Sequence, residues 1–164
     1  MGDADFVAIQ RFLHREAALL DRRDYTAWLE LLTPDIVYRV TLQTTRRAES
    51  EGQSYAIVDE RIEALRLRVE QIATPRLTHA ENPPTLARRF VTNLEAVHAA
   101  PPDAFVAETN LLVYRNRITS PDGILYVAAR RDVLRWVDGR LRISRRDLAL
   151  DQTTIRDGSL SLVL

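Results

Sequence analysis

The 164-residue sequence contains no cysteine and no lysine, and only three histidines, His14, His79 and His98. Without cysteine there is no disulfide, no thiolate nucleophile, no Cys-ligated zinc and no iron–sulfur cluster held by this chain. Without lysine there is no Schiff-base amine and no lysine general base. Charge of neither sign is in excess: 23 basic and 23 acidic residues cancel, which argues against a dedicated binder of nucleic acid or of an anionic membrane. No apolar run is long enough to cross a bilayer. Met1-Gly2-Asp3-Ala4-Asp5 opens acidic, unlike a signal peptide. The expected setting is soluble, reducing and cytoplasmic.

With 46% hydrophobic and 28% charged residues and no low-complexity stretch, residues 1–164 read as a single ordered domain. A chain of this length buries roughly 70% of its unfolded surface. Phe6, Ile9, Leu13, Ala17 and Leu20 recur at helical spacing, with Asp3 or Asp5 as the N-cap. A short helix over Tyr25–Leu32 is capped by Asp24 and broken at Thr33-Pro34-Asp35. From Ile36 the period becomes two, with Ile36, Tyr38, Val40 and Leu42 on the buried face of a strand. The polar stretch 43–55 reads as a mobile loop, and Ile62, Leu65, Val69 and Ile72 mark a third helix. Asn82-Pro83-Pro84 makes a rigid corner. Strands then follow near 86–98, 104–119, 124–137 and 140–151, with Asp122-Gly123 and Asp138-Gly139 as two-residue hairpin turns. Helices first and an antiparallel meander afterwards define an α+β fold, a long curved sheet wrapped around N-terminal helices.

Counting outward from Asp138-Gly139 pairs Trp136 with Leu141, Leu134 with Ile143, Asp132 with Arg145 and Arg130 with Asp147. The same count from Asp122-Gly123 sets Arg115 beside Arg130. One sheet face thus turns from apolar to a cluster of Arg115, Arg130, Asp132, Arg145 and Asp147, read either as a solvated face or as a patch engaging another subunit through Arg–Asp forks. The alternating tail through Leu162 and Leu164 is expected to join a sheet or an interface, with docking on its own domain as the alternative.

Little catalytic chemistry is legible. His14-Arg15-Glu16 lacks zincin spacing, and phosphate loops, GxGxxG and GxSxG are missing. No site for a cofactor or metal, and no nucleic-acid surface, is expected on this chain. One enzymatic alternative remains: a stand-alone isomerase or dehydratase with a cone-shaped pocket under the sheet, of the ketosteroid-isomerase or scytalone-dehydratase type, using Asp24, Tyr25, Asp35, His79 or His98 for proton transfer.

Blocks spread over nearly the whole chain resemble the small (β) subunit of aromatic-ring-hydroxylating, Rieske-type dioxygenases. They include Phe12-Leu13-His14-Arg15-Glu16-Ala17, Ala80-Glu81-Asn82-Pro83-Pro84 with Arg89-Phe90-Val91-Thr92-Asn93, Thr109 to Arg115, Arg130-Arg131-Asp132-Val133-Leu134, and Leu148 to Gln152. His79 stands where many members have an aromatic residue, and Asn82 where aspartate is usual. The resemblance implies a cystatin-like (NTF2-like) fold and assembly with an α subunit, commonly as α3β3 with β–β contacts. It implies that the Rieske 2Fe-2S cluster and mononuclear iron sit on that α subunit, and that this chain has a structural role with no catalytic residue of its own.

Overall fold

The computed structural model describes residues 2–43, 54–73, 85–101, 103–116, 123–152 and 163–164. The element order is α1 (Asp3–Asp21), α2 (Tyr25–Leu29), β1 (Leu32–Gln43), β2 (Ser54–Glu60), α3 (Ile62–Ala73), β3 (Leu86–Ala99), β4 (Ala104–Asn116), β5 (Ile124–Val137) and β6 (Arg140–Leu150). The strands form one six-stranded sheet in the order β2-β1-β6-β5-β4-β3. Every neighbouring pair is antiparallel except β1 and β6, which run parallel. The α+β expectation and the four long C-terminal strands are borne out.

Helix α1 buries Ile9, Phe12, Leu13, Ala17 and Leu20, the 3.6-residue stripe that packs it on the sheet. Its N-cap is Gly2 rather than an aspartate. Asp5 reaches back to accept from the Gly2 N–H at 3.3 Å, and the two first-turn acids complement the positive helix end. Asp24 caps α2 as expected, accepting from the Ala27 N–H at 3.2 Å. Helix α2 stops at Leu29, short of the expected Leu32. There the Ile143 N–H donates to the Leu31 carbonyl at 2.8 Å, and Leu32 pairs with Ile143, so the sheet captures the segment three residues early. Pro34 is tolerated within β1 because the β1–β6 register breaks between Leu32 and Val37 and demands no N–H from it.

Ile36, Tyr38 and Val40 of β1, and Ile62, Leu65, Val69 and Ile72 of α3, are buried as their spacing predicts. Strand β2 is not anticipated by the sequence reading, which carries a loop to residue 55. A seven-residue edge strand pairing only with β1 leaves little periodicity to detect. The rest of that expected loop, the Asn82-Pro83-Pro84 corner, His79 and Leu162 lie outside the described residues.

Asp138 (φ 51°) and Gly139 (φ 72°) both occupy the left-handed region, the requirement of a tight two-residue hairpin turn. The Asp122-Gly123 expectation fails. Strand β4 ends at Asn116 and β5 begins at Ile124, with Arg115 opposite Ile124. Gly123 has no positive φ; a Cβ there would collide with the Tyr114 ring. The atoms it would meet are the far end of the exposed Tyr114 side chain, which would have to shift.

Candidate functional site

A β-bulge decides which charges meet. Pairing from the Asp138-Gly139 turn is regular through Leu134–Ile143, then slips so that Val133 faces Arg145 and Asp132 faces Arg146. Ser144 is the extra residue, and its hydroxyl donates to the Val133 carbonyl at 3.1 Å. Beyond the bulge, Arg146, Leu148 and Leu150 point toward the helices, while Arg145 and Asp147 point away. The expected partners Asp132–Arg145 and Arg130–Asp147 are therefore replaced by Asp132–Arg146 and Arg130–Leu148. The other hairpin is displaced by six residues: Thr109, not Arg115, lies opposite Arg130. Six is even, so Arg115 stays on the inner face, roughly 20 Å along the sheet from Arg130.

On the inner face Glu16 of α1 meets Arg130, Asp132 and Arg146 of the sheet, each no more than 3% exposed. Arg146 donates through Nη1 and Nη2 to the two Glu16 oxygens (2.5 and 3.0 Å) and through Nε and Nη2 to the two Asp132 oxygens (2.8 and 3.0 Å). Arg130 reaches Glu16 through Nη1 at 3.4 Å, lies 3.3 Å from Asp132 and donates through Nε to Thr109 Oγ1 at 3.1 Å. Trp28 Nε1 donates to Glu16 at 3.0 Å. Two cations and two anions thus neutralise one another out of water, which lets charge exist there at all. Burial pushes the Glu16 carboxyl up, but the Arg146 and Arg130 charges, with hydrogen bonds from Arg146 and Trp28, outweigh it and bring the pKa down to about 2. Burial depresses Arg146, yet Asp132 and Glu16 reverse this and leave it raised.

The tail is tied to the same region. The Tyr38 hydroxyl donates to the Leu164 carbonyl at 2.8 Å and accepts from the Leu164 N–H at 3.0 Å, and Arg146 reaches that carbonyl at 3.3 Å. Arg89 donates to the Val163 carbonyl at 2.5 Å and pairs with Asp21 at 2.9 Å. Val163 and Leu164 are buried.

These placements correct the expected contact patch. Arg115, Arg130, Asp132 and Leu164 are buried inside their own chain and do not form a solvent-facing patch. Of the expected patch's described members, Arg145 and Asp147 stay on the outer face, paired to each other at 2.5 Å. Sequence reasoning missed Glu16, Arg146 and Arg89. The signal for Glu16 was available, because it interrupts the apolar face of α1 between Leu13 and Leu20.

The proton-transfer candidates are not brought together. Asp24 is a helix cap on the surface and Tyr25 is buried among core residues. Asp35 is exposed and ion-pairs with Arg135. His98, near the end of β3, stacks on Phe105 (centroids 4.8 Å) and lies 3.9 Å from Asp5. No cluster of three or more metal-ligating side chains occurs among the described residues. Trp28 and the ion cluster are buried together between α1 and the sheet. The outer face carries a hollow of about 520 Å³ bordered by Arg39, Glu108, Arg131 and Asp147, with Leu86, Phe90, Val97, Tyr114 and Leu125 exposed on the same strands.

A family model, that of the ring-hydroxylating β subunit, matches residues 15–157. The chain belongs to the ring-hydroxylating β-subunit family. It is 30% identical to the biphenyl 2,3-dioxygenase β subunit of Rhodococcus jostii, over 93% of this chain and 85% of that one. It is 33% identical to the 3-phenylpropionate/cinnamic acid dioxygenase β subunit of Photorhabdus laumondii, over 94% and 89%. A chain in a structure of naphthalene 1,2-dioxygenase superposes with a TM-score of 0.86 at 23% identity, covering 100% of this chain and 88% of that one, a likeness of fold. The resemblance read in the sequence is borne out, and the isomerase or dehydratase alternative gives way to it. No helix among the described residues is long and apolar enough to cross a membrane.

Proposed function

We propose that this chain is the non-catalytic small subunit of an aromatic-ring-hydroxylating dioxygenase and organises iron-bearing α subunits, as α3β3 with contacts between β subunits. The observation that carries this reading is the interior: Glu16, Arg130, Asp132 and Arg146 form a neutral, hydrogen-bonded cluster between α1 and the sheet. A buried, fully paired cluster of this kind ties α1 to the sheet and suits a scaffold. The family resemblance implies that the Rieske cluster and the mononuclear iron sit on the α subunit, and the cysteine-free sequence, with no thiolate set for such a cluster, supports that placement of the cluster. Arg145, Asp147 and the exposed apolar side chains of β3–β5 remain the outer-face surface for subunit contacts, with a cytoplasmic setting. Family relatives act on biphenyl, benzene and phenylpropionate by name, which supports a monocyclic or biaryl arene as substrate of the complex.

The test is co-expression with the cognate large subunit, followed by native mass spectrometry and iron analysis. The expected result is a hetero-oligomer whose iron follows the large subunit, with the isolated small chain inactive. Arene turnover or stoichiometric iron on the isolated chain, or a strict monomer that never associates, overturns the reading.

A further inference from the structure

At the end of the sheet opposite the Leu86–Phe90 surface, helix α1 and the tip of the β5–β6 hairpin enclose a second groove of about 780 Å³. Arg11 and Arg15 line it from α1, and Arg140 and Arg142 from β6. Glu30 is the one acidic side chain lining it among the described residues, and Trp136 forms part of the wall at 37% exposure. None of these four arginines has an ion-pair partner among the described residues, a condition shared by Arg22, Arg23, Arg66 and Arg88, whereas arginines such as Arg130, Arg135 and Arg146 are paired. In a chain of zero net charge, this is a local excess of cations.

The excess is held against local repulsion. Arg11 and Arg15 stand four residues apart on one helix face, a spacing at which like charges destabilise. Arg142 lies directly opposite Arg135 in the β5–β6 ladder, and Arg135 takes the nearby carboxylate of Asp35. Arg142 is left with its Nε out of solvent and without an acceptor, a condition that buried N–H groups normally avoid. Guanidinium groups pair bidentately with carboxylates, and tryptophan and arginine are the side chains that carry most interface energy.

We infer that this groove docks an acidic segment of the large subunit, with two or more of its Asp or Glu side chains seated on the Arg11/Arg15 and Arg140/Arg142 pairs beside Trp136. The inference rests on the small-subunit reading above and deepens it by naming one docking surface and the chemistry of its occupant.

The experiment compares assembly of the full-length chain with its large subunit at low and high salt, by native mass spectrometry and sedimentation. The variants are Arg11→Glu/Arg15→Glu, Trp136→Ala and the milder Arg11→Gln/Arg140→Gln. Charge reversal is expected to weaken assembly by more than about tenfold and to flatten its salt dependence. Trp136→Ala is expected to weaken it about tenfold with the salt dependence kept. Should the reversal variant fail to fold by circular dichroism, the glutamine variant decides, with weakening of about threefold or more expected. Folded variants that assemble like the unmodified chain overturn the groove while leaving the small-subunit role standing. An unmodified chain that never assembles overturns both.

Discussion

Arg145 and Arg146 are consecutive residues on one strand with opposite fates. Arg146 is sealed against Glu16 and Asp132 with 1% of its side chain exposed, whereas Arg145, at 43%, pairs with Asp147 at the surface. The chemistry of the two pairs is the same, and only the surroundings differ. In water an arginine–carboxylate pair gains little, because each partner was well solvated beforehand. Out of water each member is viable only while the other is present, so the pair acts as a constraint on which structures are allowed. The Ser144 bulge assigns the two roles, by turning one arginine in and its neighbour out.

The sharpest way to break this contrast is to remove one inner charge. Glu16→Leu leaves Arg130 and Arg146 with one carboxylate between them, and is expected to destabilise the chain by about 3–5 kcal/mol in urea melts followed by tryptophan fluorescence. Acid should reach the same group without mutation. The Glu16 pKa falls from an ordinary 4.5 to about 2 on folding, so its stabilisation is complete above pH 5 and drains away as pH falls toward 2. The linkage amounts to roughly 3 kcal/mol. The acid limb of the stability curve should flatten in Glu16→Gln relative to the unmodified chain.

Trp28→Phe keeps most of the packing and deletes the indole N–H that Glu16 accepts, for a loss of about 1–2 kcal/mol by the same melts. The outer pair should barely register: Arg145→Ala is expected to change stability by less than about 1 kcal/mol, and that difference should vanish in high salt. A loss as large as that of Glu16→Leu would erase the distinction drawn between the two faces.

The same strand shows where sequence reading reaches its limit. Periodicity located α1, α3 and the four long strands, because each buries one face and each face writes its own period. The Asp138-Gly139 turn was legible because its backbone demands those residues. Register beyond the turn was not. A bulge adds one residue without a compositional mark, and Ser144 resembles any outward-facing polar residue. The charged blocks around Arg130-Arg131-Asp132 and Arg145-Arg146-Asp147 were visible, but alternation alone put Arg145, and not Arg146, on the face shared by Arg130 and Asp132. Asp122-Gly123 misled for a related reason, since the β4–β5 register sets Arg115 opposite Ile124 and leaves no two-residue turn at those positions. Glu16 was readable as a carboxylate within an apolar stripe, but its arginine partners lie more than a hundred residues away.

The parallel seam between β1 and β6 has a kinetic consequence. Strands β3 to β6 are chain neighbours and can zip together hairpin by hairpin, at little loop-closure cost. Strand β1 belongs to the sheet only through β6 and β2, and its ladder joins positions roughly a hundred residues apart. Closing so long a loop is slow relative to hairpin formation. The N-terminal helices and first strand should therefore be recruited late onto a preformed meander, and pulse-labelled hydrogen exchange should show β4–β5 amides protected before those of β1.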